Sequence, residues 1–238
     1  MPRLRVPEDL GTVLSVWAHP DDETYLAGGV MAGAADAGRR VVCATASAGE
    51  SGTADRATWP PERLGRVRRW EAAAAMSVLG VREHHVRGLP DGALPDHEQS
   101  GLAWVVGLLE DVQPDTVLTF GPDGITFHPD HIAVHRWVTQ AWEDTRRRAR
   151  LLYATETVER LEQYGHVYEE WGVYMTDERP TGVRRADLAV HLQLTGAALD
   201  RKVTALSAMA SQTAALIAAV GAERFAQQVA EESFVQAR

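Results

Sequence analysis

Two short motifs place histidines and carboxylates where a metal ion could bind them. The motifs are His19-Pro20-Asp21-Asp22-Glu23 and His128-Pro129-Asp130-His131. Carboxylates that are crowded together repel one another, and a divalent cation bound between them removes that cost. His19, Asp22 and His131 offer two imidazoles and one carboxylate, which leaves positions on the metal for water and substrate. The pair of motifs therefore predicts a metal site suited to hydrolysis.

The remaining residues of the two motifs suit acid–base chemistry beside such a metal. Asp21 would lie next to the cation without binding it, where a general base takes a proton from water. His128 could be an imidazolium that stabilises an oxyanion or protonates a leaving amine, and Asp130 could hold the His128 ring in one orientation. Taken singly, Asp21 and Asp22 could equally be helix caps, and Glu23 a charge in the first helical turn.

Short β-branched segments alternate with longer helical patterns along the chain. Strands are predicted at residues 12–18, 40–46, 83–89, 116–120, 151–157 and, less regularly, 186–192. Helices are predicted at residues 23–37, 62–79, 99–112, 131–147, 199–210 and 213–228. This alternation is typical of an α/β protein with a mainly parallel sheet flanked by helices.

Three turn-rich loops follow predicted strands, at residues 47–61, 88–97 and 121–130. The first loop ends in a pair of prolines and is expected to be mobile. Ligands of open α/β sheets bind outside the carboxyl ends of the strands. Both histidine motifs and all three loops should therefore meet at that edge of the sheet.

The composition argues against several classes of function. With 238 residues, 45% of them hydrophobic, the chain can bury one core, and a single domain over residues 1–238 is predicted. The formal net charge of -9 argues against binding nucleic acid. No targeting segment or long apolar stretch is found, so no membrane partner is expected and a cytoplasmic location is the simplest interpretation. Cys43 is the single cysteine and cannot form an internal disulfide, while assembly into a homo-oligomer is left open.

The chain resembles the PIG-L/LmbE-like family of zinc-dependent de-N-acetylases, in which an A-H-P-D-D-E turn is followed by an H-P-D-H motif. Here these motifs stand at residues 18–23 and 128–131. Further similarity is found at Gly49-Glu50, Arg68 with Glu71, residues 89–92, residues 121–124 and residues 202–212. The resemblance therefore extends over nearly the whole chain.

The resemblance implies a Rossmann-like fold and a role for each motif residue. Zinc would be held by His19, Asp22 and His131, with Fe²⁺ or another divalent cation as the alternative metal. Asp21 would be the base and His128 the electrostatic catalyst. The reaction implied is hydrolysis of an N-acyl group, most often acetyl, from an amino sugar or its conjugate by metal-activated water. Amidases of thiol S-conjugates belong to the same family and are the alternative.

The family pattern also points to residues that would contact the substrate. Arg68 and Asp91 match positions facing the sugar or its aglycone, although Arg68 could instead lie on a solvated helix face and Asp91 could be a turn residue. Glu50 is the third residue expected to bind substrate. Two positions depart from the pattern. Phe127 stands where glycine is frequent, which would narrow the pocket or stack on a sugar, and Met209 stands where a histidine is frequent.

Two other functions would use the same residues differently. A non-haem iron oxygenase also has two histidines and one carboxylate as ligands, but such sites commonly belong to all-β barrels. Acetate release under anaerobic conditions would exclude it. A non-catalytic module that binds a nucleotide or sugar is the third hypothesis, although no G-x-G-x-x-G follows the first predicted strand.

Overall fold

Seven strands form one sheet at the centre of the protein. The computed structural model describes residues 10–238, and residues 1–9, which belong to the predicted single domain, lie outside this range. The strands are β1 Val13–Trp17, β2 Val41–Ser47, β3 Glu83–Leu89, β4 Thr116–Phe120, β5 Arg150–Ala154, β6 Val190–Gln193 and β7 Glu231–Gln236. The helices are α1 Asp22–Asp36, α2 Pro61–Leu79, α3 Glu98–Val112, α4 Pro129–Asp144, α5 Val158–Glu170, α6 Gly196–Ala208, α7 Ala210–Val220 and α8 Ala222–Gln228.

The central strands are covered on both faces. Every residue of β1, β2 and β4 is buried. Successive side chains of a strand point to opposite faces of the sheet, so complete burial requires packing against both faces. Across β1 and β4, the rings of Trp17 and Phe120 meet edge to face with their centroids 4.9 Å apart. These strands therefore provide a rigid base for the loops that follow them.

The order of strands creates a crevice where the two histidine motifs lie. The order is β3-β2-β1-β4-β5-β7-β6, with β1 to β5 parallel and β7 antiparallel to both of its neighbours. From β1 the chain moves outward to β3 and then returns to β4 on the other side of β1. Such a reversal opens a crevice at the carboxyl ends of the two strands. The predicted α/β fold is confirmed, and one histidine motif follows each of these strands.

The C-terminal half differs from the sequence-based prediction. Both α5 and β7 are absent from that prediction, and the predicted strands at 151–157 and 186–192 are shorter in the structure, as β5 and β6. The helix predicted at 213–228 is two helices, because Gly221 with φ 84° ends α7. No single helix within residues 10–238 combines the length and apolarity needed to cross a membrane; only α6 and α7 together, bent by 119°, reach those limits in length and composition.

A buried ion pair connects α1, α6 and β7. Lys202, the only lysine in the chain, lies with its Nζ 2.7 Å from Glu232 Oε1 and donates to the Tyr25 carbonyl at 2.6 Å. The Glu232 carboxylate also accepts hydrogen bonds from the amides of Gly29 and Val30 at 2.6 and 2.8 Å. Both charged side chains are fully buried. The pair therefore fixes α1, which begins inside the first histidine motif, against the C-terminal elements.

We expect Lys202→Met to lower the free energy of unfolding by about 3–5 kcal/mol, because it leaves the Glu232 carboxylate buried without its cation. Urea denaturation followed by circular dichroism measures the change. The double variant Lys202→Met, Glu232→Gln removes both charges and should recover part of the loss. Equal stability of wild type and Lys202→Met would show that the ion pair contributes nothing.

Candidate active site

The turn between β1 and α1 holds Asp21 in an uncommon backbone conformation. Asp21 has φ 121° and ψ -33°, a region that residues with a side chain rarely adopt. Its amide donates to the carboxylate of Glu23, at 3.0 Å to Oε2. Glu23 is fully buried rather than a surface charge, and burial raises its pKa to about 8. Strained conformations of this kind concentrate at functional sites, where the surrounding structure maintains them.

Three predicted ligands come together at the crevice. His19 Nδ1 and His131 Nε2 face each other at 3.2 Å. The Asp22 carboxylate lies beside both, 3.4 Å from His19 Nδ1 and 3.3 Å from His131 Nε2. Ligand atoms of a tetrahedral zinc site with bonds of about 2.0–2.1 Å are separated by roughly 3.3 Å, so these distances match such a site.

The far side of each imidazole is held by an acceptor. His19 Nε2 lies 3.1 Å from Asp130 Oδ2 and 3.1 Å from Asp91 Oδ1. His131 Nδ1 lies 2.9 Å from the Gly124 carbonyl. A carbonyl and carboxylates can only accept, so the ring protons belong on these outer nitrogens. The inner nitrogens then direct their lone pairs toward each other, and a bound cation would accept both lone pairs.

The pKa values support this interpretation. Burial lowers the pKa of His131 to about 4, so its ring is uncharged at neutral pH. Burial opposes ionisation of Asp22, but the positive charges that His131 and His19 carry at low pH, together with hydrogen bonds from His19, hold its pKa well below the usual range. Burial also lowers the pKa of His19, yet hydrogen bonds to Asp130, Asp22 and Asp91 raise it well above the usual value. These shifts favour an ionised Asp22 and a neutral His131, the forms in which both side chains bind a metal.

Two further groupings of donor atoms overlap this set. Atoms of His19, His128 and His131 lie within 4.8 Å of one another, as do atoms of His19, Asp91 and Asp130. In the second grouping the two carboxylates are already engaged by His19 Nε2 and by backbone amides. In the first grouping, Nδ1 of His128 accepts a hydrogen bond from the Asp130 amide at 3.1 Å. In the set of His19, Asp22 and His131, Asp22 Oδ2 accepts a hydrogen bond from the His19 amide at 2.8 Å, while Asp22 Oδ1 and the two inner imidazole nitrogens face one another.

Asp130 orients His19 rather than His128. Its carboxylate is completely buried and accepts hydrogen bonds from the amides of Gly92 and Leu94 at 2.8 and 3.0 Å, in addition to its contact with His19. The sequence-based expectation that this carboxylate holds the His128 ring is wrong, since the backbone amide of Asp130 does so. The reason is helical geometry: Asp130 lies in the first turn of α4, with its side chain turned inward and its amide directed back at the capping His128.

His128 is neutral in this arrangement. Nδ1 accepts from an amide and cannot carry a proton, so the ring proton lies on Nε2. Burial lowers the pKa of His128, and the neighbouring charge of His19 lowers it further. The imidazolium expected from the sequence is therefore replaced by a neutral ring. A neutral Nε2–H can still donate to an oxygen on which charge develops.

Arg68 contacts the turn between β1 and α1. It is 4% exposed, so the alternative of a solvated helix face is wrong. Nη1 donates to the Gly49 carbonyl at 2.7 Å, while Nη2 donates to the Pro20 carbonyl at 2.5 Å and lies 3.2 Å from Asp21 Oδ2. A Cβ on Gly49, which has φ 65°, would lie 2.2 Å from Nη1, so only glycine fits there. Burial raises the pKa of Asp21 to about 6, although the Arg68 charge opposes that shift.

Asp91 and Glu50 form part of the same network. Asp91 Oδ2 accepts from the Ser51 amide at 2.7 Å, and its other oxygen contacts His19. Glu50 Oε1 accepts from the Asp91 amide at 3.0 Å, and Oε2 is buried without a partner among the described residues. The loop that carries Glu50 thus supports the loop that carries Asp91. Their predicted contacts with substrate stay predictions.

A cavity of about 350 Å³ opens beside the ligand set. Asp21, Asp22 and His131 line one end of it. Arg68, Asp91, Glu50 and Phe127 are not among its lining residues. The backbone of Phe127 has φ 60°, a conformation that glycine adopts without strain. This conformation accounts for glycine being frequent at that position in the family.

The other walls of the cavity come from the C-terminal half, which sequence reasoning missed. They include Arg160, Tyr168, Trp171, Tyr174, Phe225 and Gln228. These residues lie on or next to α5 and α8, whose sequences contain no recognisable chemical motif. The one available signal was the clustering of aromatic residues at positions 168, 171 and 174.

Comparison with known proteins agrees with the class that the fold and site define, an α/β protein with a His–Asp group able to hold a divalent metal at its switch point. The PIG-L profile, described as GlcNAc-PI de-N-acetylase, matches residues 14–142. The chain belongs to this family. The predicted family and the predicted class of enzyme, a deacetylase, are thereby confirmed.

One curated relative is the 1D-myo-inositol 2-acetamido-2-deoxy-alpha-D-glucopyranoside deacetylase of Acidothermus cellulolyticus. It is 33% identical over 85% of this chain and 80% of its own length. Alignments with other relatives of the same name span between 44% and 81% of those proteins.

Solved structures show the same fold. The N,N'-diacetylchitobiose deacetylase of Pyrococcus horikoshii covers 98% of this chain and 86% of its own, with a TM-score of 0.71 and 20% identity. GalB, the 4-carboxy-2-hydroxymuconate hydratase of Pseudomonas putida, covers 96% of both chains with a TM-score of 0.64 and 20% identity. The fold therefore occurs in enzymes of more than one chemistry, so the function has to be inferred from the residues of the site.

Proposed function

We propose that this protein is a zinc-dependent deacetylase that hydrolyses the N-acetyl group of an N-acetylglucosamine conjugate. The observation that carries the proposal is the pair of inner imidazole nitrogens, 3.2 Å apart beside the Asp22 carboxylate, with Asp21 on the adjacent residue. The substrate class follows from the curated relatives, which are named as deacetylases of an N-acetylglucosamine–inositol compound.

His19, Asp22 and His131 would hold the cation, which supplies an activated water and a polarised acyl carbonyl when bound. Asp21 takes a proton from the attacking water as the oxygen adds to the acyl carbon. His128 donates its Nε2–H toward the oxygen on which charge develops. When the C–N bond breaks, Asp21 returns the proton to the departing amine, so that acetate and a free amino sugar are formed.

The test is release of acetate from N-acetylglucosamine linked to inositol, malate and chitobiose, with the protein first freed of metal by a chelator. Zn²⁺, Fe²⁺ under anaerobic conditions and Co²⁺ are then added back separately. We expect acetate release to require a divalent cation and to proceed without oxygen. Failure of every metal to support turnover on all three substrates would overturn the proposal.

Arg68 is assigned a positioning role, because its guanidinium is buried against Gly49, Pro20 and Asp21. We expect Arg68→Lys to lower kcat by roughly 10-fold to 100-fold with KM little changed. The planar guanidinium reaches three separate oxygens at once, and the compact ammonium of lysine cannot reach all of them. Steady-state kinetics measure the two constants separately. Arg66→Lys, an exposed change on the same helix, is the control.

The competing prediction from the sequence is that loss of Arg68 raises KM most for acidic substrates. A change confined to KM, largest for the malate conjugate, would favour that substrate contact and contradict the positioning role.

A further inference from the structure

The cavity beside the ligand set is larger than an acetyl group requires. Its volume of about 350 Å³ lies in the range of pockets that enclose a small-molecule ligand. One end is formed by Asp22 and His131, where the acyl group reacts. The far end is formed by α5, α8 and the start of β7. A substrate reacting at the first end would therefore extend toward these C-terminal elements.

Buried polar atoms at the far end have no hydrogen-bond partner within residues 10–238. Gln228 is 5% exposed and lines the cavity, and neither atom of its side-chain amide has a hydrogen-bond partner among the described residues. The Tyr168 hydroxyl is also buried at the cavity wall without a partner at hydrogen-bonding geometry among the described residues, and the Arg160 guanidinium lies beside its ring. Leaving such groups unpaired is energetically costly, and a polar ligand would relieve that cost.

The charges around the cavity disfavour an anion. Arg160 is the one lysine or arginine among the described residues that line it, and its Nε is paired with Glu156 at 2.9 Å. The Arg160 guanidinium also donates to the Gln228 carbonyl. Glu231 and Glu232 lie on the same walls. A carboxylate or phosphate entering here would find repulsion and no free cation.

Aromatic rings supply the remaining surface. Tyr25, Trp171 and Tyr174 line the cavity with Phe225. Aromatic faces pack against the C–H surface of a ring while a polar group is bonded at its edge. A ring with hydroxyl groups meets both requirements, since it has an apolar face and uncharged donors and acceptors around its rim.

We propose that the far end of this cavity binds the group attached to the amino sugar, and that this group is an uncharged, hydroxyl-bearing ring recognised by Gln228 and Tyr168. The inference rests on the proposed deacetylase function. The name of the curated relatives contains an aglycone of this class, and the inference adds the residues of this chain that select it. The amide of Gln228 would donate to one hydroxyl and accept from another, and the Tyr168 hydroxyl would pair with a third.

The experiment compares an uncharged conjugate, N-acetylglucosaminyl-inositol, with an anionic one, N-acetylglucosaminyl-malate. We expect wild type to have the higher kcat/KM for the inositol conjugate. Gln228→Met keeps the length of the side chain and removes its amide, and it should lower kcat/KM for the inositol conjugate roughly 10-fold. Gln227→Met is the matched control, because Gln227 is the exposed neighbour on α8.

A second variant and a second measurement guard against a folding defect. Tyr168→Phe should lower kcat/KM for the inositol conjugate in the same direction, with Tyr164→Phe, outside the cavity lining, as its control. Calorimetric titration of the zinc-loaded protein with the deacetylated products, glucosaminyl-inositol and glucosaminyl-malate, measures affinity without turnover. The Kd for glucosaminyl-inositol should rise roughly 10-fold in Gln228→Met.

The outcomes separate this inference from the proposed function. If wild type releases acetate but prefers the malate conjugate, or if Gln228→Met behaves as Gln227→Met, the assignment of the cavity is overturned while the deacetylase stands. If wild type releases no acetate from any substrate, the proposed function fails, and the calorimetric comparison still decides the cavity. Absence of measurable binding of glucosaminyl-inositol to wild type overturns the assignment directly.

Discussion

Asp22→Ala and His131→Ala are each expected to remove the bound metal and to abolish acetate release. The two histidines and one carboxylate leave no spare ligand, and the inner nitrogens of His19 and His131 are held only 3.2 Å apart. Metal content after dialysis, measured by mass spectrometry beside acetate release, tests both consequences together.

His135→Ala is the control for these variants. His135 lies one turn beyond His131 on α4 and contacts the Phe120 carbonyl at 2.9 Å, outside the ligand set. The variant should keep its metal. Full metal content in Asp22→Ala together with loss of metal in His135→Ala would mean that the ligands have been assigned to the wrong residues.

Asp21→Asn is expected to keep the metal and lose roughly 10²-fold to 10⁴-fold in kcat, because an amide cannot accept the proton from water. Burial raises the pKa of Asp21 to about 6, against the opposing charge of Arg68, and a nearby cation favours the carboxylate and lowers that pKa. The base is the ionised form, so wild-type activity should fall as the pH drops through about 6 or below. The variant should lack that acidic limb.

Asp36→Asn serves as the control, since Asp36 lies at the other end of α1 and is paired with Arg201 at the surface. Its activity and pH profile should match those of wild type. An Asp21→Asn enzyme with full activity would transfer the role of base to another group. An acidic limb that persists in Asp21→Asn would assign that limb to the metal site alone.

The N-terminal half of the site could be predicted because its information is local. The residues of the first motif follow β1 directly, and those of the second motif follow the short turn after β4. Two parallel strands next to each other in a sheet bring their carboxyl ends together without any knowledge of side-chain contacts. Strand, turn and helix patterns were therefore enough to place His19 near His131.

The connections between loops could not be predicted in the same way. Asp130 and Asp91 share the Nε2 atom of His19, although they are separated from it by 111 and 72 residues. Such contacts depend on the packing of three loops, and periodicity does not report on packing. In the sequence, Asp91 has the pattern of an ordinary Pro-Asp-Gly turn residue, and Asp130 has the position of a group that orients the nearby His128.

The far end of the cavity was missed for a different reason. Gln228 is a common type of residue on amphipathic helices, and only its burial makes it unusual. The two glutamates that begin β7 resemble helix or loop residues, yet Glu232 is buried because Lys202 compensates its charge. Long-range pairing thus overrides local propensity in this part of the chain.

The single lysine also gives the folded protein a chemical property of its own. Lys202 is completely enclosed, so a reagent that acylates amines can reach its side chain only when α6 separates from α1 and β7. Segments of a native protein open with their own free energies, and the reaction rate of an enclosed group follows the population of the opened form. Mass spectrometry of acylation at Lys202 would therefore report how often this side of the protein opens, without any engineered label.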